Sequence, residues 1–570
     1  MCETCGCYTP GPARRTAAAE GQWALGYREP LNPAEAAKRE DDGLNVRPRI
    51  EHVYARNGFS SIWPSDLRNR FRWHGLYTQR PESDGYFMLR IRIPGGALTS
   101  EQVDVIGDLS QRFGRDVADV TDRQNIQLHW IRIEQLPEIW ESLEAVGLST
   151  TEACGDTPRN ILGCPLAGID ATEVIDASAI LQDVNAKLVG NPEFSNLPRK
   201  FKISISGCRH QCAQHEINDI GLVGAVNEEG EPGFDVWVGG GLSTNPMFAK
   251  RLGVFIGPEH VVSVVLGITA VFRDWGYRRA RNRARLKFLV QDWGPAKFRE
   301  VLEDEIGFRL RDLDPPPTSV MSHREHTGIG VQKDGRRYVG FALRAGRTSG
   351  HQLRAIGRLA DRYGDGRVRT TTQQKMAILD VPEARVGELM EELAALDLPV
   401  LGSTWRKGAM ACTGIEFCKL AIVETKGRAA ELYRYLEDRI PDFEEDVRIN
   451  VNGCPNSCAR YQTADIGLMG CVVTDKGRKV EAFLVHLGGH LGDRRSFGRK
   501  VKGVKVLGNE VGPYVETLIR RYRNGRAADD TFASFVDGLD EAELKQFAAK
   551  PDFVGLPPAP GVIAEPRKAS

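Results

Sequence analysis

No run of the 570-residue chain is long and apolar enough to cross a bilayer, which takes about 20 such residues. A secretory signal is missing too: Arg14-Arg15 is a twin-arginine pair, but TAAAEGQWALGYREP behind it has no apolar core. Net charge is absent, with 76 basic against 76 acidic residues, so no global field favours nucleic acid or a membrane surface. No nucleotide-binding motif or flavin module is evident, so electrons for any redox reaction must arrive from outside. These absences point to a cytoplasmic, soluble chain with neither membrane nor nucleic-acid partner, and its length suggests about four domains.

Cysteine is what the chain does have. Twelve of them without an export signal suggest reduced thiols that hold metal. Cys2, Cys5 and Cys7 form a short tract of the kind that binds metals opportunistically. The stronger pattern is Cys412-x5-Cys418 followed by Cys454-x3-Cys458. Four thiolates fit a tetrahedral zinc ion or an iron–sulfur cluster, and a gap of five residues is too wide for the C-x2-4-C knuckle of zinc. Asn452-Gly453 signals a turn and Pro455 suits a first helical turn, which predicts a helix N-terminus whose dipole stabilises the thiolates of Cys454 and Cys458.

With C-x5-C ahead of GCPNSC, the chain resembles the sulfite and nitrite reductases that couple siroheme to a 4Fe-4S cluster. The resemblance runs from about residue 50 to about residue 545, and the type it resembles most is the ferredoxin-dependent assimilatory sulfite reductase of actinobacteria. It implies that Cys412, Cys418, Cys454 and Cys458 hold the cluster and that Cys458 bridges it to the siroheme iron.

Two segments recur. FMLRIRIP, a helix from Glu101 and VADVTDRQNIQLHWI return about 250 residues later as RRYVGFALR, a helix near Leu353–Tyr363 and RVRTTTQQKMAILDV. RKFKISISGCRHQCAQHEINDIGLVG likewise lies over VRINVNGCPNSCARYQTADIGLMG, pairing Cys208 with Cys454, Cys212 with Cys458 and Asp219 with Asp465. The expected fold is α+β and internally duplicated, with two ferredoxin-like half-domains and two siroheme/4Fe-4S α/β domains about a pseudo-twofold axis. The expected boundaries are 1–75 (arm), 76–148, 149–320, 321–400, 401–550 and 551–570 (tail). Cys208 and Cys212 read as relics of the duplication or buried thiols, because the first half offers Cys154 and Cys164 as C-x9-C rather than C-x5-C.

Holding a small oxyanion and relaying protons to it calls for fixed cations. Arg90, Arg159, Lys200 and Lys202 are the candidates, the two lysines sharing one face of an extended segment, and all four match positions that the resembled family uses for its anion. Siroheme carries carboxylates, and TDRQNIQLHW resembles the segment that binds them: Arg123, Asn125 and Gln127 alternate onto one face, with His129 next in register as a structural residue. The run RRARNRARLK (278–287) could assist or bind an acidic partner, although such runs are usually solvated helix faces. Resemblance to WHGLYTQR and EACGDTPR segments further implies a thioether between Tyr77 and Cys154. The expected reaction is reduction of sulfite to sulfide by a monomer taking electrons from ferredoxin. The alternatives are nitrite reduction to ammonia, against which Lys202 argues, and a zinc-stabilised binding protein or simple electron carrier.

Overall fold

The computed structural model describes residues 32–314, 325–492, 494–557 and 561. Cys2, Cys5 and Cys7 lie outside them, as does most of the Pro-rich tail.

Alternating side chains make strand Phe87–Ile91, whose apolar residues point into the core. Thr99 and Gln102 form a capping box that opens helix Ser100–Phe113, and Ser349 with Gln352 does the same for Gly350–Tyr363. These two helices pack against each other. A methyl on Gly107 would lie 2.7 Å from the Gly350 carbonyl, and one on Gly357 would lie 2.8 Å from that of Ser100, so small residues at matching repeat positions let the helices approach closely.

Two five-stranded antiparallel sheets flank the helix pair, and they exchange edges. Arg347–Thr348 of the second repeat pairs with Ala118–Val120 of the first, while Ala97–Thr99 of the first pairs with Arg367–Thr370 of the second. A single apolar core runs through both half-domains, from Phe87, Leu89 and Ile106 to Val339, Ile356 and Ile378.

Each larger domain is a mixed sheet with its own core. In the first, Leu162–Gly163, Ile203–Ser206 and Ile220–Val226 run parallel, and Pro232–Val238 and Lys250–Ile256 continue antiparallel. Ala409–Ala411, Ile449–Asn452, Ile466–Asp475, Arg478–Leu487 and Arg499–Leu507 repeat that pattern. The duplication reaches single torsions: Gln211 and Gln214 hold φ of 54° and 62°, and their counterparts Ser457 and Arg460 hold 57° and 53°. Asp219 accepts from the Lys202 N–H at 2.8 Å just as Asp465 accepts from the Arg448 N–H at 2.9 Å. In both domains the cysteine loops leave the carboxyl ends of parallel strands, where open α/β sheets place their ligands.

Candidate metal centre and anion site

Cys412 is the first residue after strand Ala409–Ala411, and its N–H is bound by the Val451 carbonyl at 3.1 Å, which ties it to the neighbouring strand. The Gly453 N–H donates to its sulfur at 3.2 Å. Cys418 closes a turn on the Gly414 carbonyl at 3.0 Å. Cys454 and Cys458 sit in consecutive bends and turns, and the first helix after them is the 3-10 turn Tyr461–Thr463. The expected α-helix and its dipole are therefore absent here: left-handed torsions at Ser457 and Arg460 turn the chain instead, and backbone N–H groups serve the sulfurs. Burial, then the neighbouring Cys458, push the Cys412 thiol up to about 12 and Cys454 to about 11, so binding of a cation must displace their protons. Cys418 is raised for the same two reasons.

The sulfur spacing separates a cluster from a single ion. Zinc at about 2.3 Å from each thiolate puts sulfurs about 3.8 Å apart. Among the described residues, the only three Cys, His, Asp or Glu ligand atoms within 4.8 Å of one another belong to Cys164, Asp170 and Cys208. No three sulfurs of the 412–458 set come that close to one another, which suits a cluster of several irons better than a single ion.

Of the basic candidates, Arg90 and Lys200 lie within electrostatic reach of exposed Cys458. Arg90 donates to the Cys154 sulfur at 2.8 Å, and the Gln127 amide, with its oxygen turned inward, accepts from Arg90 at 2.6 and 3.1 Å. Burial alone would lower the Arg90 pKa, but Cys154, Tyr77 and Cys458 outweigh it and hold the guanidinium charged. Arg159 donates to the Gly155 carbonyl at 3.0 and 2.8 Å. Lys200 is pushed down to about 8 by burial, with Cys458 opposing. Lys202 is lowered further, by burial first and then by Arg123 and Lys200. The strand begins only at Ile203, yet the extended lead-in keeps both lysines half-buried on one side, with Phe201 buried between them on the other.

Arg123 and its two neighbours divide their work. Arg123 donates to Asn218 at 2.9 Å and to the Asn160 carbonyl at 2.6 Å, and burial brings it down to about 9. Asn125 accepts from the Ile93 N–H at 3.3 Å, so its oxygen holds the turn rather than facing the site. Gln127 orients Arg90. His129 is buried against Asp119 at 2.9 Å and stacked on Phe417 of the cluster loop, with ring centroids 3.8 Å apart. Tyr77 lies within electrostatic reach of Cys154, Arg159, Arg72 and Arg90, with burial the largest influence raising its hydroxyl.

The basic run 278–287 is not a solvated helix face. Arg278 pairs with Glu35 at 2.8 Å, Arg281 with Asp156 at 2.6 Å and Arg285 with Asp219 at 2.7 Å, and Lys287 donates to the Leu242 carbonyl at 2.9 Å. Its partners are buried carboxylates from distant segments, so nothing local in the run announces the inward turn. Arg281 also lines a cleft with Arg72, Tyr77, Arg159 and Arg199. Sequence alone does not single out Arg72, Arg199 or Arg281, although Arg199 opens the RKFK repeat segment and Arg281 lies in the basic run.

This duplicated scaffold matches known families. Residues 154–310 and 406–550 match the nitrite and sulphite reductase 4Fe-4S domain, and residues 79–146 and 330–396 match the nitrite/sulfite reductase ferredoxin-like half domain. The chain belongs to the nitrite and sulphite reductase family. Within that family it is 50% identical over 547 residues to sulfite reductase (ferredoxin) 1 of Mycolicibacterium paratuberculosis, covering 92% of this chain and 98% of the relative. It is 38% identical over 527 residues to the assimilatory ferredoxin-dependent nitrite reductase of Haloferax mediterranei, covering 87% of this chain and 89% of that one. The solved structure of the NirA protein of Mycobacterium tuberculosis superposes with a TM-score of 0.88 at 47% identity, covering 92% of this chain and 100% of that chain. The four wide-set thiols of residues 412–458, each raised or solvent-facing in the absence of a cation, fit the 4Fe-4S cluster for which the family's larger domain is described.

Proposed function

We propose that the chain is an assimilatory sulfite reductase that reduces sulfite to sulfide with six electrons from ferredoxin, at a siroheme coupled through Cys458 to the 4Fe-4S cluster. The observation that carries this reading is the grouping of Arg90, Lys200, Lys202 and Arg159 within electrostatic reach of one another or of Cys458. Relatives named sulfite reductase at 48–50% identity, against 38% for those named nitrite reductase, support the substrate. When bound, siroheme supplies the iron that takes the anion and conducts electrons to it. Arg123 and the arginines lining the cleft beside Tyr77 offer the cations its carboxylates need, while Asn125 and Gln127 hold the surrounding backbone and Arg90 in place.

Arg90 and Arg159 act as permanent charges that orient the oxyanion. Lys200, brought near neutrality, can release a proton and regain one from water at physiological pH. Each opposite-charge pair near 4 Å gains about 4 kcal/mol before desolvation at an effective dielectric of about 20, so the two arginines, joined by lysines that a bound anion would hold protonated, make a strong anion trap. Lys202 favours the more highly charged sulfite over nitrite. The reading further includes a cytoplasmic monomer and a thioether between Tyr77 and Cys154. No helix among the described residues is long and apolar enough to cross a membrane.

The test is kcat/KM for sulfite and for nitrite on one preparation with one reduced donor. Sulfite is expected to lead. A lead for nitrite with Lys202 in place overturns the substrate while leaving the family and cluster untouched, and a colourless protein overturns the enzyme reading altogether.

A further inference from the structure

The first reductase domain carries a second set of ligands where the cluster would fall under the internal repeat. Cys164 directly follows Leu162–Gly163, with Gly163 in register with Ile205. Cys412 directly follows Ala409–Ala411, with Ala411 in register with Val451. Ile205 and Val451 are themselves matched in the repeat that aligns Cys208 with Cys454. Counting on from each strand end, Asp170 therefore takes the place of Cys418, and Cys164-x5-Asp170 with Cys208-x3-Cys212 mirrors the cluster set. Cys154, the cysteine that spacing alone offered as a partner, belongs instead to the Arg90 side.

The two sites differ in size. The ligand atoms of Cys164, Asp170 and Cys208 all lie within 4.8 Å of one another, so some point lies no more than about 2.8 Å from all three, near the zinc–thiolate distance of about 2.3 Å. Cys208 has both the Cys164 and the Cys212 side chains as neighbours, and the Cys212 thiol donates to the His210 carbonyl at 3.6 Å, so a third thiol stands beside the triangle. All four residues are buried, at 2–3% exposure. Thiolates paired with one carboxylate at tetrahedral spacing suit zinc rather than a hard cation. Cys164 also borders a cavity of about 210 Å³, lined by Gly95, Ala167, Ala177 and Gln182, through which an ion can enter.

We propose that Cys164, Asp170 and Cys208 form the core of a mononuclear zinc centre, with the Cys212 thiol beside it, the pseudo-twofold counterpart of the cluster. It is structural and takes no electrons. Binding displaces thiol protons and clips the loop after Gly163 to the loop after Ser206. Both loops rest on the second half-domain: Leu166 and Cys208 cluster with Tyr338, Ala377 and Leu379, the Lys333 N–H donates to the Ile169 carbonyl at 2.9 Å, and Thr372 donates to the Cys212 carbonyl at 3.1 Å. The cluster loop leans on the first half-domain in the same manner through Phe417 and His129.

The test is elemental analysis of the full-length holoenzyme with Cys2, Cys5 and Cys7 changed to serine, so that zinc on that tract is not counted. The expected result is about one zinc per chain beside the iron, with a zinc X-ray absorption spectrum dominated by sulfur ligands. Asp170→Ala and Cys208→Ser should lose the zinc and lower the thermal midpoint while keeping the visible spectrum of the cluster. Asp170→Cys should retain the zinc, which a carboxylate needed only for its bonds to Thr172 would not predict. The proposal is overturned by a zinc-free parent, by a zinc shell of nitrogen and oxygen alone, by zinc unchanged in Asp170→Ala and Cys208→Ser, or by additional iron in its place.

Discussion

Glu152→Gln is expected to stabilise the protein at alkaline pH and not at acid pH. Glu152 is 0% exposed; one carboxylate oxygen accepts from the Gly190 N–H at 2.8 Å, and the other has no hydrogen-bond partner among the described residues. Burial raises this carboxyl to about 7 despite the Gly190 N–H and Arg92, which favour ionisation. The folded value lies above the ordinary 4.5, so ionised Glu152 opposes folding. That opposition is absent below pH 4.5, grows between 4.5 and about 7, and is complete above, where it costs about 3 kcal/mol at 1.36 kcal/mol per pH unit. Glutamine keeps the acceptor for Gly190 but puts an amide N–H₂ where the unpartnered oxygen stood, which takes back about 1–2 kcal/mol. The net gain at pH 8.5 is about 1–2 kcal/mol, or a rise of roughly 2–8 °C in thermal midpoint for a domain of this size. Scanning calorimetry of parent and variant at pH 5 and 8.5 is the assay. The same difference at both pH values, or a less stable variant at pH 8.5, would refute the reasoning.

Lys202→Asn removes from beside Lys200 and Arg123 an amine that a bound anion would hold protonated and should cost sulfite about 1–3 kcal/mol, roughly 5- to 150-fold in kcat/KM, with a smaller loss for singly charged nitrite; equal losses for both would show that Lys202 does not read charge. Gly207→Ala drives a methyl into the Ile175 backbone carbonyl and should cost about 3 kcal/mol or more, whereas Gly453→Ala at the matching position meets the Ala421 methyl at 2.8 Å and should cost less; thermal midpoints in the reverse order would contradict the packing. Peptide mapping of intact protein should recover residues 77 and 154 as one linked species, and recovery of both unmodified removes the thioether.

The duplication was legible because a repeated sequence folds into a repeated unit, and the paired capping boxes at Thr99 and Ser349 bear it out to the level of single hydrogen bonds. His129 shares the register of Arg123, Asn125 and Gln127, so alternation did not set it apart; its structural place comes from Asp119 and Phe417, brought to it by the fold. The helix expected after Pro455 did not form, because the left-handed torsions at Ser457 and Arg460 are held by contacts from elsewhere, such as Arg460 on the Thr372 carbonyl at 2.6 Å. Propensity yields where tertiary contacts over-determine the backbone.

By itself the sequence determined that Cys412, Cys418, Cys454 and Cys458 belong together and that the chain is two copies of one unit, since short spacings and self-similarity depend only on neighbours along the chain. Only the tertiary structure decided that the half-domains exchange edge strands, that Arg278, Arg281 and Arg285 turn inward onto Glu35, Asp156 and Asp219, and that Asp170 comes within 4.8 Å of the sulfurs of Cys164 and Cys208. Those outcomes depend on which residue stands at the end of a strand when it pairs with another tens of residues away. That register is chosen by the packing of the whole core.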